Sequence, residues 1–463
     1  MWFFLPLIFC IYLAYKILFV AKNPLNNIPG PSLIQNYIDL IKYKSVTDLM
    51  KFYKKKYGDI YRFHLMGDLV VSNPQSIKLL LKSNYRGENM NELFSNVSNC
   101  NGLFMKNGDQ WKDLRNKMAP IFAHGNLKQM ALTVRNVSEK YKNYLDSKMK
   151  NDELNCEISH IFKKMTLDSM GLIILNYDFN LLNNTETELF DAIVYLIDSA
   201  FFRIQCPIHY WNIPLIHKLF DKKLNKHNAV LYKTVMDIIE NKKKNPQNDK
   251  INKDIIDLLL NIPGISDKDI YDEVIIFIMA GYETTSISLT FMLYCLCKYP
   301  KIQIKLRNLL LDINNDENLF DNLNKLKYLD NCIKESMRLY SPVTINIRET
   351  LNDSSMEGYY IPQGTKALVL SDGLHIDDRF WQEPEFFNPD RFENEFDENS
   401  YLPFGGGRRI CFGKPFALME MKTMMWYLLT NYNFTLNEEI TITDNLFKRP
   451  DNLFVKIEKF KKE

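Results

Sequence analysis

A chain of 463 residues with 46% hydrophobic and 13% aromatic side chains holds enough apolar material for one large core or two smaller ones, which excludes a disordered protein. Its formal net charge is only +2, and its lysines are interleaved with asparagines and acids, so no block suits nucleic acid. The eight cysteines, at positions 10, 100, 156, 206, 295, 297, 332 and 411, are scattered, which argues against a disulfide framework and for a reducing compartment. The seven histidines show no paired spacing that would suit zinc.

The opening stretch MWFFLPLIFCIYLAYKILFV has no charge before Lys16, and about 20 apolar residues suffice to cross a hydrocarbon core. Residues 1–22 therefore read as a transmembrane anchor. A cleavable signal peptide is the competing reading, but the basic leading region and the small-residue cleavage site are missing. Lys16 and Lys22 lie on the C-terminal side of the apolar centre, which would leave the rest of the chain in the cytosol. Residues 23–45 form a linker whose Pro24, Pro29, Gly30 and Pro31 make a stiff, non-helical connector. The remaining 46–463 read as one domain.

Within that domain GDIYRFHLMGDLVVSNP alternates around Gly67 and Asp68 as a short hairpin, and a helix follows. From Trp111 to about Met236, and again from Asp254 to about Phe320, the periodicity is mainly helical. Between those regions ENKKKNPQNDKINK is polar and of low complexity, which reads as a loop with no packed partner. Strands return only near KALVLS. The fold class is mainly α with a small β component.

The stretch YLPFGGGRRICFG places Cys411 just before a continuous helical pattern, with Pro415 at a tolerated early position. Free amides and the helix dipole there favour a thiolate. The glycines let the backbone approach something flat and bulky. A ligand cysteine and a buried filler cysteine fit this segment equally well.

Phe404-x-x-Gly407-x-Arg409-x-Cys411-x-Gly413 resembles the haem-binding signature of the cytochrome P-450 family, with every anchor position filled. The resemblance implies haem b (iron protoporphyrin IX), with Cys411 as the axial thiolate of its iron and Arg409 facing a propionate; thiolate donation favours cleavage of the O–O bond of oxygen. AGYETTS, Ala280 to Ser286, lies in an apolar run from about Ile270 to Leu296 that suits a buried central helix, with a second membrane span as the weaker alternative. In the family this motif lies over the haem: Ala280 and Gly281 would leave room for oxygen, and Glu283 and Thr284 would organise proton delivery, with Thr285 a bystander. Spacing alone places Ala280, Glu283 and Thr284 on one helix face, with Phe277 near it; a satisfied polar pair in a core helix fits the same spacing.

Glu335 and Arg338, three apart, could be an ordinary solvated pair. Beside Arg391 in PEFFNPDRF they resemble the family's Glu-Arg-Arg triad, which is structural. Trp111-x-x-x-Arg115 resembles the early propionate clamp, and Arg348 stands where the family often has another propionate partner; an interfacial tryptophan beside a surface arginine is the alternative. Ser341 stands where many relatives have proline, and Pro342 follows it.

The anchor and proline linker resemble those of the microsomal, endoplasmic reticulum type, single-pass with a cytosolic body. No flavin or nicotinamide fingerprint is present, so electrons would come from an NADPH-cytochrome P-450 reductase, with cytochrome b5 as a further donor. Lys112, Lys117, Arg408, Lys414 and Lys422 would lie on the cysteine side and could meet an acidic flavoprotein. The expected activity is monooxygenation of an apolar lipid-, steroid- or xenobiotic-like molecule, lined by Leu103, Phe104, Phe201, Phe202, Phe277 and the VTINI stretch. Tyr210 and Trp211 would touch the membrane or pack in the core. A haem-thiolate isomerase or dehydratase acting on a peroxide, and a non-catalytic haem sensor, are the alternatives. Relatives of the former kind often lose the acid-threonine pair that Glu283 and Thr284 retain here.

Overall fold

The computed structural model describes residues 24–461 except 44, 66, 88–95, 184–186, 206–210, 212–216, 218–219, 247–252, 315–317 and 445–446. The expected anchor, residues 1–22, lies outside the described residues.

Pro24–Asn27 forms a single 3-10 turn, after which the proline segment runs non-helically into α1 (Leu33–Tyr43), so the second half of the expected linker is a helix. Ser45 caps α2 (Val46–Tyr57) by accepting the Asp48 amide at 3.1 Å. The expected hairpin follows as β1 (Ile60–Arg62) and β2 (Leu69–Val71), antiparallel, and leads to α3 (Pro74–Leu80) with its Asn73 cap. The helical region then comprises α4 (Gly108–Met118), α5 (His124–Lys148), α6 (Ile158–Met170), α7 (Glu188–Gln205) and α8 (Lys222–Lys244).

Two expectations change here. The strand β3 (Glu153–Glu157) interrupts the stretch read as helical; it is five residues long and its pairing partner lies near the C-terminus, so no local periodicity marks it. The start of ENKKKNPQNDKINK is not loop but the last turn of α8. Three lysines there complement the helix C-terminus, and Lys242 bonds Asp254 at 2.5 Å and Asp257 at 2.9 Å.

After α9 (Ile255–Leu260), the capping box of Ser266 and Asp269 opens α10 (Asp267–Lys298), the 32-residue central helix. It is long and apolar enough to cross a membrane, yet it packs inside the core against α6 and α13 (Lys327–Leu339). It is a core helix, as expected. The connecting helix α11 (Pro300–Leu311) packs beside it, and α12 (Leu319–Lys325) packs against α5 and α13.

Strands return earlier than KALVLS: β4 (Ile345–Glu349), β5 (Ser354–Met356) and β6 (Tyr359–Ile361) precede β7 (Lys366–Leu370). The main sheet runs β1-β2-β7-β4, with β2 and β7 parallel and the other pairs antiparallel. Beyond α14 (Ser371–His375) and the cysteine loop comes α15 (Lys414–Asn431), and then β8 (Tyr432–Leu436), β9 (Ile442–Asp444), β10 (Lys448–Pro450) and β11 (Phe454–Lys459). β11 pairs with β3 and β8, while β9 and β10 form a separate hairpin. The helices enclose one large apolar core, and the sheet closes two smaller ones against the N-terminal helices.

Candidate active site

A cavity of about 350 Å³ lies between α10, the cysteine loop, α4 and the start of β4. Cys411 opens onto its floor, and Ala280, Gly281, Glu283 and Thr284 of α10 contribute to its wall.

The cysteine loop is held by backbone geometry. Gly405 and Gly407 have φ of 66° and 62°, the left-handed region that favours glycine. A Cβ at Gly407 would stand 2.1 Å from the Leu81 carbonyl, which also accepts the Arg408 amide. The Cys411 amide donates to the Phe404 carbonyl at 2.9 Å. Gly413, at the start of α15, has neither positive φ nor a neighbour its Cβ would strike, so neither local space nor strain demands glycine there.

Burial pushes the Cys411 thiol above its ordinary value, while the Gly413 and Lys414 amides and the charges of Arg86 and Arg115 pull it back. The sequence led us to expect the helix N-terminus to favour a thiolate; its amides do act in that direction, but burial outweighs them. A cation bound at the sulfur would displace the proton.

Guanidiniums converge beside this floor. Arg409 donates to the Lys106 carbonyl at 2.6 Å and to Asn107 Oδ1 at 3.0 Å, with its plane 4.8 Å from the Trp111 ring. Arg115 lies over Trp111 and Phe412. Arg348, fully buried, donates to the carbonyls of Ile347 and Gly406 at 2.8 and 3.2 Å. Arg86, which the sequence gave no reason to choose, joins them: it donates to the Phe104 carbonyl and stacks 4.0 Å from that ring.

Burial pushes Arg409 down to about 9, with Arg348 and Arg115 adding repulsion, and pushes Arg348 down to about 10. Arg86 falls for the same reasons. Among the described residues none of the four has a carboxylate within ion-pair distance, and the Nε groups of Arg348 and Arg409 are buried without a partner. Clustered cations beside an apolar slot fit a flat, apolar ligand bearing carboxylates, the combination a haem presents.

On α10 the Thr284 hydroxyl donates to the Ala280 carbonyl at 2.7 Å. Gly281 admits Met170 of α6, whose Cε lies 2.5 Å from where a Cβ would be, so it serves helix packing as well as the cavity. Glu283 turns toward the C-terminal hairpin, where Arg449 Nη2 lies 2.7 Å from its Oε1. Burial pushes this carboxyl up, and Arg449 opposes the effect. Thr285 also lines the cavity.

Glu335, Arg338 and Arg391 meet in one buried network: Arg338 and Arg391 each approach Glu335 at 2.8 Å. Leu103, Phe104 and Phe277 line the cavity as expected, and Val343 and Asn346 represent VTINI. Phe202 does not; it is 61% exposed on the outer side of α7. The side chain of Phe201 and residue Tyr210 lie outside the described residues. Trp211 is buried beneath Arg203, which favours packing over membrane contact. Phe447 from the C-terminal hairpin was not anticipated as a lining residue. Lys112, Lys117 and Arg408 are exposed and Lys414 half-buried. Lys422 is buried against Asp330 and Asn324 and drops out of any docking face.

The model of the cytochrome P450 family matches residues 28–461. Cytochrome P450 3A9 of Rattus norvegicus is 28% identical over 454 residues, covering 91% of this chain and 88% of that protein. Cytochrome P450 3A40 of Oryzias latipes is 28% identical over 448 residues, with 90% and 87% covered. Protein LUTEIN DEFICIENT 5, chloroplastic, of Arabidopsis thaliana is 28% identical over 407 residues, with 82% and 68% covered.

Proposed function

The chain belongs to the cytochrome P450 family of haem-thiolate monooxygenases, and on that premise we propose that it oxidises an apolar lipid-, steroid- or xenobiotic-like molecule with electrons from an NADPH-cytochrome P-450 reductase. The observation that carries this reading is a cavity lined by Cys411 and the guanidiniums of Arg86, Arg115 and Arg409, with Arg348 buried behind the cysteine loop and Thr284 of α10 on the cavity wall. Cys411 would ligate the iron of haem b, and Arg86, Arg115, Arg348 and Arg409, with Trp111 alongside, would hold its propionates. Phe404 fixes the cysteine backbone, and Gly413 with Lys414 offers amides to the sulfur. Bound haem would supply the reductive splitting of O2, one atom going to the substrate and one to water.

The chain's own residues supply orientation and protons. With its proton on the Ala280 carbonyl, the Thr284 oxygen keeps lone pairs for an oxygen group in the cavity and so orients it. Glu283 is the adjacent group able to take a proton from solvent and pass it inward. The largely apolar walls exclude other water.

Thr284→Ala is expected to lower product formed per NADPH about tenfold or more while haem binding survives, since Thr284 orients the group that receives the relayed proton and positioned proton transfer contributes about 10²–10⁴-fold. Unchanged coupling in a reconstituted reductase assay would remove Thr284 from this role. Arg409→Gln is expected to weaken haem retention by about 1.5–3 kcal/mol, the range for hydrogen bonds to charged groups. Haemin titration of the two proteins would show equal affinities if Arg409 does not meet the ligand.

We further place the protein on the endoplasmic reticulum membrane, single-pass through residues 1–22 with the body cytosolic. Ile34, Ile38 and Ile41 of α1 support this: they share one helix face and are 50, 54 and 78% exposed, beside the connector from the anchor. The basic face left by Lys112, Lys117 and Arg408 would meet the reductase or cytochrome b5.

A further inference from the structure

We propose that Arg449 is a positioning residue for proton delivery: from the C-terminal hairpin it holds the Glu283 carboxyl at the cavity wall and sets how readily that group takes up and yields the relayed proton. This rests on the haem-thiolate reading above and adds a residue to it.

The hairpin is built to hold Arg449 still. β9 and β10 pair Lys448 with Asp444 and Arg449 with Thr443. Strand alternation sends Lys448 and Arg449 to opposite faces. On one face Lys448 Nζ reaches the fully buried Asp372 of α14 at 2.5 Å, and Lys51 of α2 bonds both Asp372 and Asp444. The Lys448 amide donates to the carbonyl of Pro342, itself a cavity residue, at 3.0 Å. On the other face Arg449 meets Glu283 of α10. Phe447, one residue earlier, lines the cavity. Three successive residues thus contact the substrate space, a buried ion network and the acid.

Burial favours the neutral carboxyl of Glu283, and its Oε2 is buried without a partner. The groups facing it are Arg449 from β10, Lys163 from α6 and Asp198 from α7, with Tyr282 beside it on α10. Arg449 is the one in contact. Its guanidinium stabilises the carboxylate left when the Glu283 proton moves toward Thr284. Being 30% exposed, it also marks the side from which a proton of bulk water restores the carboxyl. The proton enters from water and leaves inward, and Arg449 itself passes none of it.

The test uses the full-length, haem-loaded protein. The infrared C=O stretch assigned to Glu283, by its absence in Glu283→Gln, is followed against pH in native protein, Arg449→Gln, Arg449→Met and Arg449→Lys. Methionine keeps the aliphatic stem in case glutamine disturbs the hairpin. Loss of the charge is expected to raise the midpoint by about 1–3 pH units, the effect of removing a contacting opposite charge. Lysine should restore most of it, and the pH profile of product per NADPH should move the same way. Equal midpoints in all four proteins that show the band would overturn the proposal. So would loss of haem from both charge-free variants, which would mean that Arg449 only holds the fold together. Because the band can be read in haem-free protein, a native chain lacking a thiolate-haem spectrum would sink the haem reading separately.

Discussion

Cys411→His is expected to abolish the strongly red-shifted Soret band of the dithionite-reduced protein under carbon monoxide and to leave less than about one hundredth of the native turnover, an added barrier of at least about 2.7 kcal/mol. The reason lies in the loop as much as in the sulfur. Gly405 brings the chain against Asn346 and Gly407 brings it against Leu81, both in conformations other residues resist, and the Cys411 amide is tied to Phe404. The backbone at 411 is therefore held in place. An imidazole would have to push the ligand outward or swing aside, and even well placed it donates less electron density than a thiolate. A native protein whose reduced, carbon monoxide-bound spectrum lies at the ordinary histidine-ligated position, or which binds no haem, would defeat the assignment of Cys411. A histidine variant that kept the red-shifted band would do so equally.

Such a site is legible in sequence where chemistry is packed into a short window. Phe404 to Gly413 and Ala280 to Thr284 each carry their spacing within one turn or loop, and the structure brings the two segments to opposite sides of one cavity. What escaped depends on long-range register. Arg86 sits in an aperiodic stretch and enters the site because the neighbouring Tyr85 carbonyl accepts the Glu349 amide from β4, more than 260 residues away. Arg449 reaches Glu283 only through the alternation of a three-residue strand. Lys422 misled for the opposite reason. α15 is buried on most of its faces, so the helix has no polar side to read, and a lysine there is satisfied internally by Asp330. Phe202 shows that an apolar residue near an aromatic cluster need not face inward; α7 turns it to the outside.

The largest expected loss of stability comes from Arg338→Ala, at about 3–5 kcal/mol, because it strips one charge from a buried network and strands the rest. Arg338 is fully buried on α13 and meets both oxygens of Glu335, at 2.8 and 2.9 Å. Its remaining donors go to the carbonyls of His375 at 2.6 Å and Phe386 at 3.3 Å. Arg391 and the Asn388 amide complete the shell of Glu335, at 2.8 and 3.0 Å. His375, whose carbonyl Arg338 holds, uses its ring Nε2 to accept the Leu402 amide at 2.8 Å. Leu402 stands three residues before Gly405, the first glycine of the cysteine loop, so the triad sets where that loop begins. That linkage requires a neutral His375, and burial pushes its pKa down to about 3. Below the ordinary value of about 6.5 the unfolded chain takes up a proton that the folded chain refuses, so this contribution to stability is full above pH 6.5 and fades as the pH falls toward 3. Haem retention should fade over the same range. Arg338→Lys keeps the charge but not the fork that reaches two carboxylate oxygens and two carbonyls, and should fall between the native protein and alanine. Denaturant unfolding together with haem content decides the matter: an alanine variant within about 1 kcal/mol of native, with a full haem complement, would mean that the network does not carry the cysteine loop.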